Sequence, residues 1–329
     1  MRFAKSLGVL GVALSLAVMG RAAPVAAAPL TIGYSDWPGW VAWQVAIDKG
    51  WLKAAGLDVN FQWFDYSASM DAYSAGKIDA DLVTNGDGLV TGAAGAKGVM
   101  ILLTDYSNGN DMIVARPGIN SLKDLKGQKV GIEIGLVEHL LLLNGLKSVG
   151  MTEKDVTLVN TPTNNTPQVL ASGQVAAIGA WQPNSGQAMK LVPGAHPIYT
   201  SAQAPGLIYD VLYVSPTSFA AHKADYIKLA KVWDKVVHYI YDPKTQDDAV
   251  TIMAKRVGLT PAEYKPLVAG THLIDLAEGK KTFMKGPALS SLYGSSHVAN
   301  DFNVANGVYK VSQDVDSYID PSITDAAAP

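Results

Sequence analysis

The 329-residue chain contains no cysteine, and this absence excludes several classes of protein. A disulfide-stapled fold, a cysteine-ligated zinc site, an iron–sulfur cluster and a thiol nucleophile all require cysteine. A lipoprotein anchor on an acylated cysteine is excluded for the same reason. Basic residues are not in excess either, since 26 Lys and Arg face 29 Asp and Glu, for a formal net charge of −3. Nucleic-acid-binding proteins normally carry a basic footprint, so we expect no nucleic-acid partner.

The N-terminal segment has the layout of a secretory signal peptide. Arg2 and Lys5 form a short positive start, and the apolar run Leu7–Val18 follows it. Small residues then lead to a cleavage site, which we place before Ala28, so residues 1–27 form the signal peptide. The apolar run is shorter than the roughly 20 residues of a membrane span, although an uncleaved anchor is the alternative. We expect an exported protein in a periplasm, with free secretion as the alternative.

The remainder of the chain alternates short apolar runs with helical patterns. This alternation predicts an α/β fold with mostly parallel sheets. Two such α/β units are followed by a helical remainder. Extended segments at Asp111–Arg116 and Tyr209–Ser215 are predicted to cross between the units. We therefore expect two α/β lobes joined by two hinge strands, with a ligand cleft between them.

Several short segments between residues 30 and 321 carry a resemblance to a known family. The segments Leu30-Thr-Ile-Gly-Tyr-Ser-Asp36 and Ala46-Ile-Asp-Lys-Gly-Trp-Leu-Lys53 resemble the opening of ABC-transporter solute-binding proteins of the nitrate/sulfonate/taurine family. Ala75-Gly-Lys-Ile-Asp-Ala80 and Ser121-Leu-Lys-Asp-Leu-Lys-Gly127 match later turns of that family in the expected order. The resemblance implies a periplasmic binding protein type II-like fold. It implies that residues 29–111 and 209–329 form lobe 1 and residues 112–208 form lobe 2.

The resemblance also implies a role in transport. The protein is expected to capture a small solute as a monomer and to deliver it to an ABC permease driven by an ATPase, without a cofactor and without catalysis. Fungal thiamine-pyrimidine synthases share the fold and are enzymes, but their Cys-rich iron motif is absent from a chain without cysteine. The six histidines show no metal-ligand spacing, and no Gly-x-Ser-x-Gly motif occurs. A secreted hydrolase that uses paired carboxylates is the alternative from another class.

Acidic and aromatic residues follow the predicted strands, where ligands bind in parallel α/β sheets. The candidate site residues are Asp36, Trp37, Trp40, Asp87, Glu133, Trp181 and Asp210. No Lys or Arg occurs among the residues that follow the strands. Carboxylates accept bidentate hydrogen bonds from a guanidinium group, and indole faces stack on it. An anion held about 4 Å from Glu133 would instead cost about 4 kcal/mol at an effective dielectric constant of about 20.

The predicted ligand is therefore a small nitrogen-rich cation or amide, with guanidine first and urea second. The segment Asp36-Trp-Pro-Gly-Trp40 also resembles a branch of the family associated with urea carboxylase-related transporters. Structural roles remain open, since Asp36 and Asp87 precede helices and could serve only as caps. Trp40 could belong to the core, and Asp210 could be a solvated hinge residue. Trp51, Trp63 and Trp233 are interpreted as packing residues. The alternative ligand is a small anion such as taurine, an aliphatic sulfonate or nitrate.

Overall fold

The computed structural model describes residues 29–328, so the predicted signal peptide lies outside the described residues. The strands are β1 (Leu30–Tyr34), β2 (Val59–Trp63), β3 (Ala80–Thr84), β4 (Val99–Ser107), β5 (Asp111–Ala115), β6 (Lys129–Ile132), β7 (Thr157–Asn160), β8 (Ala177–Trp181), β9 (His196–Thr200), β10 (Tyr209–Val214) and β11 (Thr271–Leu273). The helices are α1 (Pro38–Val41), α2 (Trp43–Asp48), α3 (Trp51–Ala54), α4 (Tyr66–Ser74), α5 (Asn85–Ala93), α6 (Val137–Ser148), α7 (Thr166–Ser172), α8 (Asn184–Leu191), α9 (Pro216–Ala221), α10 (Lys223–Tyr241), α11 (Gln246–Arg256), α12 (Pro261–Ala269), α13 (Leu276–Thr282), α14 (Leu292–Ala305) and α15 (Ser322–Ala327).

The strands form two sheets, which confirms the predicted α/β class. The first sheet has the order β11-β4-β10-β3-β1-β2, and the second has the order β7-β6-β8-β5-β9. In the first sheet β1 pairs in parallel with β2 and β3, whereas β10 is antiparallel to β3 and β4. In the second sheet β6 pairs in parallel with β7 and β8, whereas β5 is antiparallel to β8 and β9. The prediction of mostly parallel sheets was therefore wrong.

The mixed strand directions follow from how the chain crosses between the sheets. It passes from the first sheet to the second at residues 108–110 and returns at residues 201–208. The segments predicted as crossings, Asp111–Arg116 and Tyr209–Ser215, are instead largely the sheet strands β5 and β10. Each enters its sheet from the edge at which the neighbouring strands end, so it runs against them. We retain 29–111 with 209–329, and 112–208, as the proposed limits of the two lobes.

Hydrogen bonds tie the two crossings to each other. The backbone N–H of Gly109 donates to Ser201 Oγ at 2.8 Å, and the hydroxyls of Ser107 and Ser201 lie 2.6 Å apart. Gly109 has a φ of 119°, a backbone conformation that glycine adopts at little cost. Asn110 then donates from Nδ2 to the carbonyl of Leu267 at 2.6 Å and to Thr271 Oγ1 at 2.8 Å.

Helix α10 shows how the apolar pattern builds the core beside the first sheet. Its buried residues recur every three or four positions, and they include Tyr226, Leu229, Ala230, Trp233, Val237 and Ile240. Trp233 is fully buried, packs on Trp43 with ring centroids 4.9 Å apart, and donates from Nε1 to the carbonyl of Ile274. Trp233 is thus a packing residue, as predicted. No helix within residues 29–328 is long and apolar enough to cross a membrane.

The carboxyl ends of the parallel strands in both sheets lie at the edges where the chain crosses over. Strands β1, β2 and β3 run towards the crossing from the first sheet, and β6, β7 and β8 run towards it from the second. The loops that follow these six strands therefore face one another. This arrangement places the predicted ligand-binding residues of both sheets at one junction.

Replacing Asn110 should destabilise the crossing. Asn110→Ala removes two hydrogen bonds at a buried position and leaves the carbonyl of Leu267 without this donor. We expect the free energy of unfolding to fall by about 1–3 kcal/mol in chemical denaturation. Asn120→Ala, at an exposed position outside the crossing, is the control and should change it little. Equal unfolding free energies for the two variants would contradict this role of Asn110.

Candidate functional site

A cleft opens between the loops of the two sheets. We call it the outer cleft, and its volume is about 270 Å³. The first sheet contributes residues after β1 and from the end of β2 into α4, and the second contributes residues after β6, β7 and β8. The lining residues are Asp36, Trp63, Phe64, Asp65, Tyr66, Ser67, Ala68, Glu133, Pro162, Thr163, Asn164, Asn165, Trp181 and Asn184. Three are acidic, and none of these lining residues is Lys, Arg or His.

Asp36 connects the two sides of the outer cleft. It follows β1, and its Oδ1 accepts a hydrogen bond from Trp181 Nε1 at 3.0 Å. Its Oδ2 accepts another from Asn184 Nδ2 at 2.8 Å, so both oxygens are engaged by residues of the opposite side. Burial raises the pKa of Asp36, and these two hydrogen bonds oppose that shift. Asp36 therefore holds the two sides together as well as lining the cleft.

Glu133 offers a carboxylate that is less engaged. It follows β6, is 9% exposed, and receives a long hydrogen bond of 3.5 Å from Thr163 Oγ1. A contact of this length is weak, so the carboxylate remains available to a ligand. Burial raises the pKa of Glu133, hydrogen bonds from Ser67 and Thr163 lower it, and the charge of Asp65 raises it. Asp65 itself is exposed, at the start of α4.

Trp63 lines the outer cleft, which differs from its interpretation as a packing residue. Trp63 is 37% exposed, and the guanidinium carbon of Arg256 lies 4.0 Å from the centroid of its ring. Arg256 is outside the set of lining residues, and its Nε donates to Tyr34 Oη at 3.0 Å. Trp51, in contrast, packs edge-on against Tyr239, in keeping with a structural role.

Two tryptophans and one aspartate among the candidate site residues lie deeper than the outer cleft. They surround a small cavity, the inner chamber, lined by Trp37, Trp40, Tyr66, Thr84, Asp111, Val137, Trp181, Ile208 and Asp210. Trp37 donates from Nε1 to Asp105 Oδ1 at 2.8 Å, and Trp40 stacks on Tyr66 with ring centroids 5.1 Å apart. The chamber volume is about 10 Å³, which is room for about one water molecule. Tyr66 and Trp181 line both the chamber and the outer cleft.

Asp87 lies at the first turn of α5 and faces neither cavity. Its backbone N–H donates to Thr84 Oγ1 at 3.1 Å, and its Oδ2 accepts from Tyr66 Oη at 2.7 Å. Asp87 is 2% exposed and lines a separate small cavity with Asn85, Leu136 and Asn303 among others. Of the seven candidates, the structure thus brings Asp36, Glu133 and Trp181 to the outer cleft. It places Trp37, Trp40 and Asp210 around the inner chamber, and Asp87 beside it.

Sequence reasoning missed part of both cavities. Asp65 and Tyr66 follow a strand and could have been selected by the rule that was applied to Asp36. Asn164, Asn165 and Asn184 are amides in loops that carry no local signal for ligand binding. Asp105 and Glu138 lie inside β4 and α6, where sequence alone gives no sign that they converge, whereas Asp111 follows β4 after a short loop and was among the residues read there. No group of three or more His, Asp or Glu side chains within residues 29–328 is arranged to hold a metal ion.

Buried carboxyl groups cluster beneath the outer cleft, at and next to the inner chamber. Asp105 and Asp210 are opposite each other on β4 and β10, and both carboxylate oxygens of Glu138 and Oδ2 of Asp111 are buried without a hydrogen-bond partner among residues 29–328. None of these four forms an ion pair within residues 29–328. Burial raises the pKa of Asp105 to about 6 and that of Asp111 to about 7, and it also raises the pKa values of Glu138 and Asp210 well above their ordinary range. At pH values between about 4 and about 6, these groups therefore carry protons in the folded state that the unfolded chain has lost.

A family model described as NMT1/THI5 like matches residues 37–244, which is more than half of the chain. The chain belongs to the NMT1/THI5-like family. Among curated relatives, this NMT1/THI5-like protein is 29% identical over 187 residues to a Brucella abortus protein that is provisionally named a binding protein. The match covers 56% of this chain and 58% of that relative, so the chain matches little more than half of its length. The arginine-binding extracellular protein ArtP of Bacillus subtilis is 31% identical over 108 residues, 32% of this chain and 40% of ArtP.

Solved structures share the fold of this NMT1/THI5-like protein. The alkanesulfonate-binding protein SsuA from Xanthomonas axonopodis, bound to MOPS, has a TM-score of 0.75 at 18% identity and covers 89% of this chain and 98% of its own. The periplasmic nitrate-binding protein NrtA from Synechocystis has a TM-score of 0.73 at 12% identity, covering 92% and 88%. The desulfurization enzyme DSZB has a TM-score of 0.64 at 14% identity, covering 91% and 98%. These matches confirm the predicted periplasmic binding protein fold.

The buried carboxyl groups should make the fold more stable in mild acid than in mild base. Burial raises the pKa of Asp87 and of Asp111 from 3.8 to about 7. At pH values between these two figures, the native state therefore binds more protons than the unfolded state. The free energy of unfolding therefore falls as pH rises through this window, by up to about 1.4 kcal/mol per pH unit for each such group. Thermal unfolding should show a higher melting temperature at pH 5 than at pH 8.

Replacing one buried carboxyl group by an amide tests whether that group causes the pH dependence of stability. Asp111→Asn cannot ionise, so its melting temperature should decline less between pH 5 and pH 8 than that of the wild type. The control is Asp301→Asn, at an exposed position, which should follow the wild type. Identical declines in wild type and Asp111→Asn would show that Asp111 does not contribute.

Proposed function

We propose that this protein is the solute-binding component of an ABC importer, and that it captures a small nitrogen-rich cation or amide in the outer cleft. Guanidine is the first choice and urea the second. Glu133 and Asp65 supply hydrogen-bond acceptors and negative charge, and Trp181 supplies an aromatic wall. Asp36 fastens the two sides through Trp181 and Asn184. Trp37, Trp40, Asp87 and Asp210 support this arrangement from below.

The observation that carries the proposal is the charge of the cleft lining. Three carboxyl groups line it, and no Lys, Arg or His does. A bound anion about 4 Å from one carboxylate would lose about 4 kcal/mol at an effective dielectric constant of about 20. Micromolar affinity corresponds to a binding free energy of only about 8 kcal/mol in magnitude, so this repulsion would cancel about half of that free energy. A cation reverses the sign of the same interaction.

Similar proteins support the transport role, but their names refer to different ligands. SsuA and NrtA are named for alkanesulfonate and nitrate, and these names favour a small anion such as taurine, an aliphatic sulfonate or nitrate as the second candidate. ArtP is named for arginine, whose side chain carries a guanidinium group. The cleft lining decides our choice, because it provides acceptors in excess and no cationic donor. Membership of the branch associated with urea carboxylase-related transporters is part of this proposal.

The role implies partners and a location. The mature protein would act in the periplasm as a monomer and deliver its ligand to an ABC permease and its ATPase. NrtA is named as a periplasmic protein, which supports this location. A secreted hydrolase is the candidate from another class, and the fold match to the enzyme DSZB favours it. Release of ammonia from guanidine or urea by the isolated protein would support the hydrolase and contradict a binding-only role.

A calorimetric panel tests the ligand class. We expect guanidine to bind the mature protein, with urea weaker, and taurine, nitrate and aliphatic sulfonates not to bind. Guanidine at sub-denaturing concentration should also raise the melting temperature, because a ligand that binds only the native state stabilises it. Sodium chloride at the same ionic strength is the control. Micromolar binding of taurine or nitrate without binding of guanidine would overturn the proposal and leave the fold intact.

Two substitutions rank the carboxylates. Glu133→Gln should weaken guanidine binding by about 30-fold, because it removes one partner from a buried charge pair. Asp65→Asn should weaken it by about twofold or less, because Asp65 is exposed and its charge is screened. Calorimetry measures both, with the exposed Asp71→Asn on α4 as the control. Equal affinities of wild type and Glu133→Gln would remove Glu133 from the site.

A further inference from the structure

The outer cleft is larger than guanidine requires. A protein cavity of about 150 Å³ holds benzene, which has six non-hydrogen atoms, so each atom takes about 25 Å³. By this measure the cleft of about 270 Å³ holds about 11 non-hydrogen atoms. Guanidine has four. A ligand that fills the cleft is therefore two to three times as large as the guanidinium group alone.

The cleft also offers two separate points of attachment for positive charge. Asp36 has both carboxylate oxygens engaged by Trp181 and Asn184, at 3.0 and 2.8 Å. Glu133 and Asp65 remain, and they stand on opposite sides of the cleft, after β6 of the second sheet and after β2 of the first. One small cation bound at Glu133 would leave Asp65 without a partner. A ligand with a positive group at each end would pair with both carboxylates.

The rest of the lining suits a polar tail without a negative charge. Asn164 and Asn165 present amides, and Thr163 and Ser67 present hydroxyls, which can donate or accept hydrogen bonds. None of the lining residues could neutralise a carboxylate on the ligand. Such a carboxylate would face Glu133 or Asp65 at close range. The lining therefore selects against amino acids and in favour of amines.

We propose that the outer cleft is built for an elongated dication of about nine to eleven non-hydrogen atoms, with a guanidinium group at one end, an ammonium group at the other and no carboxylate. This inference rests on the proposed function. The guanidinium group pairs with Glu133 beside the indole of Trp181. The ammonium group pairs with Asp65 near the mouth of the cleft, where water still reaches it. The connecting hydrocarbon chain lies along the apolar lining residues Phe64 and Pro162.

A matched set of guanidino compounds tests the proposal by titration calorimetry on the mature protein. The probes are guanidine, N-butylguanidine, agmatine and 4-guanidinobutanoate, which share the guanidino group and differ in length and terminal charge. Agmatine should bind at least about tenfold more tightly than guanidine, with N-butylguanidine between them. The terminal carboxylate of 4-guanidinobutanoate should make it at least about tenfold weaker than agmatine.

Each contrary outcome has its own meaning. Guanidine binding as tightly as agmatine would overturn the elongated ligand and leave the proposed function standing. Equal affinities of N-butylguanidine and agmatine would overturn the second charge. Binding of taurine or nitrate, with no binding of any guanidino compound, would overturn the proposed function itself.

The variant Asp65→Asn tests the second attachment point. It should weaken agmatine by about fivefold and leave N-butylguanidine within twofold of the wild type, since only agmatine has a charge at that end. Asp71→Asn, also exposed and on the same helix, should leave both ligands unchanged. A melting temperature equal to that of the wild type will show that each variant is folded. Equal losses for both ligands in Asp65→Asn would overturn the assignment of Asp65 to the ammonium group.

Discussion

The site depends on one constraint. The edges at which the parallel strands of the two sheets end face each other. Because the parallel strands of both sheets run towards the crossings, the loops that follow them meet across a narrow gap. Asp36 spans that gap through Trp181 and Asn184, so the same residue that lines the cleft also holds its sides together. A residue of the cleft lining therefore also fixes how far apart the two sides stand.

Unpaired carboxyl groups characterise this junction from its mouth to its base. Near the surface, Asp65 and Glu133 are accessible to a solute. Deeper down, Asp105 lies opposite Asp210, Asp111 and Glu138 are buried as well, and burial raises the pKa of all four groups. The two depths differ in desolvation, because Asp65 is exposed and Glu133 is 9% exposed, whereas the four lower groups are at most 3% exposed. An ionised carboxylate is therefore least costly near the mouth of the cleft, where a ligand can enter.

The sequence predicted the class of fold and three of the residues that reach the outer cleft. Asp36, Glu133 and Trp181 were found because they directly follow or end strands, and that position fixes which edge of the sheet they occupy. The same rule placed Trp37, Trp40 and Asp210 at this edge of the sheets, and the structure has them around the deeper inner chamber. Depth depends on side chains from other elements, such as Tyr66, which separates Trp40 from the outer cleft. The directions of β5 and β10 were missed because a strand's pairing partner is not encoded in its own residues.

By itself the sequence determined the periodicity of the strands and helices, the lack of cysteine chemistry and the acidic, aromatic character of the loops, because these follow from local residue order. Only the tertiary structure decided which carboxyl groups face solvent and which are buried in pairs. It also decided the size of the cleft and the engagement of Asp36 by Trp181 and Asn184. Those properties arise between residues that are distant along the chain, as with Asp36 and Asn184, and only the approach of the loops of one sheet to those of the other brings them into contact.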